Sequence, residues 1–88
     1  MTYSLSIEAI TYSGESKDDT IEIPDTSAAE FELNIRTAVH NFVSDMYDDG
    51  YSDFYPSHYN GFSVAELAVS GELMLNGNLK LRLGKVGV

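Results

Sequence analysis

The sequence predicts an α+β fold: an antiparallel sheet of about four strands in the order ββαββ, with one long helix packed across one face and room for a second, short helix. Three observations carry this. Side chains alternate polar and apolar near both ends, apolar residues recur at helical spacing through the middle, and glycine-bearing turn sequences separate the segments.

The first strand is Thr2 to Tyr12, where Tyr3, Leu5, Ile7 and Ala9 fall on one side and Ser4, Ser6, Glu8 and Ile10 on the other. A strand turns successive side chains to opposite faces, so this segment has one buried face. Ser13 to Asp19 is rich in turn formers and is expected to be a long hairpin loop. Alternation resumes from Thr20 to Ile23 and stops at Pro24.

The helix follows. In Ser27-Ala28-Ala29-Glu30 the Ser27 hydroxyl can accept from the Glu30 backbone N–H, the arrangement of a capping box. Phe31, Ile35, Ala38, Val39, Phe42 and Met46 then define one stripe at helical spacing, and Gly50 offers a left-handed stop. A helix from Ala28 to Asp49 would be about 33 Å long, enough to cross the sheet. On its other sides, Leu33, His40, Val43 and Tyr47 form a ridge that is either a self-association seam or a surface for the following loop. Glu30, Asp45 and Asp48 form an acidic side.

From Tyr51 to Phe62 the periodicity breaks down around Pro56 and Gly61, which predicts an ordered loop with one helical turn. Ser63-Val64-Ala65-Glu66 fits a second capping box opening a short helix, and fits equally the start of a strand through Leu67 and Val69. The last hairpin is predicted to its register. A two-residue turn at Asn76-Gly77 would place Leu73 opposite Lys80. A three-residue loop, Asn76-Gly77-Asn78, pairs Leu75 with Leu79 and Leu73 with Leu81, and so sets Leu73, Leu75, Leu79, Leu81 and Leu83 on one face. Met74, Lys80 and Arg82 then point away from it.

The chain has 88 residues, 43% of them hydrophobic, and is expected to form a single acidic domain over residues 1–88. It has no cysteine, which removes disulfides, thiolate metal sites and a cysteine nucleophile and favours a reducing, cytoplasmic setting. Met1 to Ile10 lacks the basic and continuous apolar regions of a signal peptide, and no apolar run is long enough for a membrane span. The net charge is −9. All 14 acids lie in residues 1–72 with only Lys17 and Arg36 beside them, whereas Lys80, Arg82 and Lys85 make the remainder positive. Such a field repels nucleic acid and anionic membrane and attracts basic protein surfaces.

No catalytic constellation is visible, so no enzymatic activity and no cofactor are expected. His40 and His58 have no partner pattern, and there is no nucleophile elbow or phosphate-binding glycine loop. Asp45, Asp49, Gly50 and Asp53 match four positions of a calcium loop, but Tyr47 and Pro56 occupy two positions that need ligands, so no metal site is expected.

The most unusual composition lies between Asp45 and Phe62, with four acids, six aromatics, one histidine and no lysine or arginine. Aromatic side chains give large contact area at low entropic cost, and acids among them suit a lysine- and arginine-bearing partner. Asp45, Asp48, Asp49 and Asp53 with Tyr47, Tyr51 and Tyr55 are therefore the candidate partner-binding residues, joined by the loop acids Asp18 and Asp19. Phe54 and Phe62 are expected to cap the core instead.

In size, charge and lack of a catalytic motif the chain resembles small acidic phage proteins that block host restriction or CRISPR nucleases. The resemblance implies an inhibitor that mimics nucleic acid on the basic surface of a larger nucleic-acid-binding protein, without itself binding nucleic acid or membrane. The alternative is an interaction or assembly domain without mimicry, of the immunity or antitoxin type or a small oligomeric phage protein, with a homodimer among its forms.

Overall fold

The computed structural model describes residues 2–86. The elements are β1 (Thr2–Ile10), β2 (Ser16–Pro24), α1 (Ala28–Asp48), a 3-10 turn (Pro56–Tyr59), α2 (Val64–Ser70), β3 (Glu72–Leu75) and β4 (Leu79–Val86). The four strands form one antiparallel sheet in the spatial order β2-β1-β4-β3. This is the α+β class that the alternation at the two ends and the central helical period predict.

The first hairpin is tighter than the sequence implied. Thr11 N–H donates to the Glu15 carbonyl at 2.9 Å and Gly14 N–H donates to the Thr11 carbonyl at 3.0 Å. Gly14 has φ +86°, so the loop is Tyr12-Ser13-Gly14 with its last residue left-handed, a common three-residue hairpin connection. The buried Thr11 hydroxyl fastens this turn through Ser13 and Glu15. Ser16 to Asp19, expected in the loop, therefore belong to β2. Aspartate is a poor strand former, but β2 is an edge strand where carboxylates remain in water.

Both helices are capped as their sequences allow. Ser27 Oγ accepts from Glu30 N–H at 3.3 Å, and Ser63 Oγ accepts from Glu66 N–H at 3.1 Å, so residues 64–70 are helix and not strand. At the end of α1, Gly50 N–H donates to the Tyr47 carbonyl and Tyr51 N–H to the Met46 carbonyl, both at 3.1 Å, with Gly50 at φ +102°. This pair of bonds is the Schellman closure, which satisfies carbonyls that the helix itself leaves free.

The second hairpin has the predicted register, with Leu75 opposite Leu79 and Leu73 opposite Leu81. Leu79 and Leu81 are fully buried, while Leu73, Leu75 and Leu83 are half-buried against the core. Met74 and Arg82 face away and are exposed; Lys80 is intermediate. Asn76 and Gly77 take φ of 53° and 74°, and Asn78 N–H bonds back to Leu75. Asn78 remains as an extra residue between turn and strand.

One core joins the layers: Leu5, Ile7 and Ala9 from β1, Leu79 and Leu81 from β4, Ile35, Val39, Val43 and Met46 from α1, and Val64 and Leu67 around α2. Tyr3 meets Phe31 edge-to-face at 4.9 Å and anchors the first turn of α1 on β1. The long helix packs on β1 and β2, and the second, short helix for which the sequence leaves room packs on β3 and β4. One expectation is corrected. Val43 is not on an outer ridge but fully buried, because the 3-10 turn and α2 pack on the flank of α1 and widen its covered stripe.

Candidate functional site

The site is built on the last turns of α1 and the segment that follows. Asp45, Asp48 and Asp49 are exposed and stand three and four residues apart, which on a helix makes their side chains neighbours. They stand at the C-terminal end, where the helix macrodipole is negative, and the last turn holds no basic residue. Both relationships oppose the fold, by about 0.2–0.5 kcal/mol per like-charged pair and about 0.3–1 kcal/mol per misplaced charge. Asp53 follows in the exposed loop. Among the described residues none of these four carboxylates makes an ion pair.

Four of the five bases are engaged elsewhere. Arg82 and Lys80 lie 3.3 and 3.9 Å from Glu72 on the open face of the sheet. Arg36 pairs with Glu32 at 3.2 Å and donates to the Asn60 and Phe62 carbonyls at 3.1 and 2.9 Å. Lys17 Nζ lies 5.6 Å from the centre of the Tyr51 ring.

The aromatic residues divide sharply. Phe54 and Phe62 are buried, as expected for core caps, and Tyr59 is buried with them, stacked on Phe54 at 5.7 Å. Tyr51 is half-buried, and its hydroxyl donates to Glu15 at 3.1 Å, tying the loop to the first hairpin. Tyr47 and Tyr55 remain outside, at 42% and 46% exposure, meeting edge-to-face at 5.4 Å. Tyr55 also touches the His58 ring at 5.4 Å. Together with His40, Asp48 and Pro56 the two tyrosines line a groove of about 460 Å³ between α1 and the 3-10 turn. Tyr47 therefore packs against the loop, one of the two roles open to the ridge; with Val43 in the core, Leu33 is left as an isolated exposed side chain.

The acids of β2 do not act as a loop pair. Strand alternation sends them to opposite faces: Asp18 stands beside Glu8 on the open face, and Asp19 turns toward α1. There Asp19 shares with Asp45 a second groove, of about 420 Å³, between β2 and α1. The structure thus gathers Asp48 with Tyr47 and Tyr55, and Asp45 with Asp19, on the two flanks of one helix end, and leaves Asp18 apart.

The calcium-loop pattern starts at Asp45, inside α1. Among the described residues no group of three or more histidines, aspartates or glutamates is placed to hold a metal ion. Among them, too, no helix is long and apolar enough to cross a membrane.

Several structural partners were not apparent in the sequence. Tyr59 Oη donates to Asn78 Oδ1 at 2.7 Å, and Asn76 Nδ2 to the His58 carbonyl at 3.0 Å, so the 3-10 turn is pinned to the β3–β4 turn. Arg36 holds residues 60–62 in the same way from the helix side. The only sequence signal for it was a lone arginine beside the core stripe in an otherwise acidic helix. No protein-family model, curated protein or solved structure matches this chain.

Proposed function

We infer that this chain acts by binding, and that its acidic helix end occupies a basic, nucleic-acid-binding surface of a larger protein. The observation that carries this is the segregation of charge. Four of the five bases, Lys17, Arg36, Lys80 and Arg82, are engaged with acids or aromatic rings of the chain itself, and the fifth, Lys85, is exposed on β4, while among the described residues Asp45, Asp48, Asp49 and Asp53 are left without ion pairs at a helix end that disfavours them. Local arrangements that oppose folding concentrate where function requires them. A cluster of lysines and arginines on a partner would relieve the repulsion and replace its phosphate contacts with carboxylate contacts.

Tyr47 and Tyr55 supply the apolar part of the contact, since each is half-exposed and held in place by the other. Asp19 extends the acidic surface past Asp45; Tyr51 supports it from below, and Asp18 lies outside it. A nuclease of a host defence system, met in the cytoplasm, is the kind of partner such a surface suits. The alternative, an assembly domain, would draw on exposed apolar side chains outside the acidic end, Tyr12, Leu33, Val69 and Met74. These stand on different elements, the first hairpin loop, α1, α2 and β3, which ranks that alternative second.

The test is competition. A partner captured by the tagged chain should be released by that partner's own nucleic acid, and its affinity should fall steeply with salt. Simultaneous binding of both, with affinity indifferent to salt, would show that the acidity serves only solubility.

A further inference from the structure

The outer side of β2 carries a second surface. Along β1, Ile10 N–H donates toward β4, to Asn78, and Thr11 N–H donates toward β2, to Glu15, each at 2.9 Å. Odd-numbered residues of β1 therefore bond to β2. With Ile7 opposite Asp19 and Leu5 opposite Ile21, the odd-numbered residues of β2 bond inward. Ser16, Asp18, Thr20 and Glu22 turn their N–H and C=O groups outward. An independent observation agrees: the Thr20 N–H is taken by the side chain of Asp19, Oδ1 at 2.9 Å, and not by β1. Pro24, at the next outward position, has no N–H, so the free edge ends there.

Beside this edge lies the groove shared by Asp19 and Asp45, lined on its apolar side by Ile21, Ile23, Ala38 and Phe42. Strand edge and groove together have the form that accepts an added strand, with main-chain bonds for affinity and alternate side chains for specificity. We propose that β2 receives an extended segment of a partner protein as a fifth strand, its residues alternately apolar and basic. Apolar residues would enter the groove beside Ile21 and Ile23. Basic residues on the other face would meet Asp18 and Glu22, and Thr20 N–H would exchange the Asp19 carboxylate for a carbonyl of the incoming strand.

Charge selects this occupant over a second copy. Pairing of β2 with itself about Thr20, which uses the whole strand, would set Asp18 opposite Glu22 twice, and like charges directly opposite destabilise a ladder. The one base of the strand, Lys17, bonds inward and lies over Tyr51. The self-bond of Asp19 to Thr20 occupies the middle donor of the edge until an incoming strand replaces it.

The test uses the full chain and a synthetic peptide of alternating lysine and valine, against a peptide of the same composition with its valines grouped together. The alternating peptide should bind, the grouped one roughly tenfold more weakly, and Thr20→Pro should weaken the alternating peptide by about the same factor while Thr20→Ala does not, since Pro removes one outward donor. Equal binding of the two peptides, or undiminished binding by the folded Thr20→Pro variant, would reduce the contact to diffuse charge attraction and overturn the proposal. Should that variant fail to fold, hydrogen exchange of the native chain decides. New protection at the Asp18, Thr20 and Glu22 amides with peptide bound supports the fifth strand, and unchanged exchange refutes it. A dimer of the native chain that Thr20→Pro abolishes and Thr20→Ala preserves would assign the edge to a second copy and likewise overturn the proposal. Replacing Asp48 and Asp53 by Asn should leave peptide binding unchanged, which separates this surface from the acidic helix end.

Discussion

The Arg36 guanidinium lies 5.0 Å from the centre of the Phe62 ring and donates to the Phe62 carbonyl at 2.9 Å. One side chain thereby binds the loop before α2 through both its backbone and its ring. A third bond, to the Asn60 carbonyl, fixes the same loop on α1. Arg36→Met should lower stability by about 1–2 kcal/mol, the value of charge-assisted bonds reduced for the partial exposure of the group. Arg36→Lys should recover little, because a compact ammonium lacks the planar fork whose two ends reach the two carbonyls while its face lies on the ring. Urea denaturation of both variants measures this, and a midpoint for Arg36→Lys equal to the parent's would show that charge alone suffices.

Tyr59 and Asn78 offer a cleaner test of long-range order. Their 2.7 Å bond joins the 3-10 turn to the residue left over between the second hairpin's turn and β4. Tyr59→Phe should cost about 0.5–1.5 kcal/mol. In a double-mutant cycle with Asn78→Ala the two effects should be non-additive, and strict additivity would show that the bond does not form in solution.

The leucine register predicts a graded series. Leu81 is fully buried and Leu73, opposite it, is half-buried. Leu81→Ala should cost about 2–5 kcal/mol and Leu73→Ala distinctly less. Equal losses in thermal or urea denaturation would mean that β3 sits deeper than the fold shows.

Loss of the Ser27 hydroxyl removes the partner of the Glu30 N–H at the start of α1. Ser27→Ala should lower stability by about 0.5–2 kcal/mol, read from the denaturation midpoint. An unchanged midpoint would place the effective start of the helix elsewhere.

The acidic helix end makes a prediction of opposite sign. Replacing Asp45, Asp48, Asp49 and Asp53 by Asn preserves shape and removes charge that the helix end disfavours. The variant should be more stable, by about 0.5–2 kcal/mol at low ionic strength and by less in salt. It should also associate more slowly with a basic partner and with a weaker salt dependence. Tyr55→Ala should instead hasten dissociation and leave the salt response alone. A fourfold variant that is less stable than the parent would mean that the carboxylates have structural partners.

Local order was legible in the residues themselves. The alternation of Tyr3, Leu5, Ile7 and Ala9, the serine caps at Ser27 and Ser63, the stop at Gly50 and the pairing of Leu75 with Leu79 all follow from interactions between near neighbours or from a strict period of two, and each is present. The first loop was overestimated because Asp18 and Asp19 have turn-forming chemistry. A left-handed Gly14 closes the hairpin earlier, and pairing with β1 then outweighs propensity. What only the tertiary structure decided is which flank of each element is covered. Val43 passes from ridge to core, Tyr59 joins Phe54 and Phe62 in the core, Asp18 and Asp19 go to opposite faces, and Tyr47 and Tyr55 alone of the aromatic run stay accessible. The physical reason is that a helical period marks one apolar stripe but not its width. The width depends on where the 3-10 turn and α2 dock, and that is set by contacts such as Arg36 to Phe62 and Tyr59 to Asn78, between residues far apart in the chain.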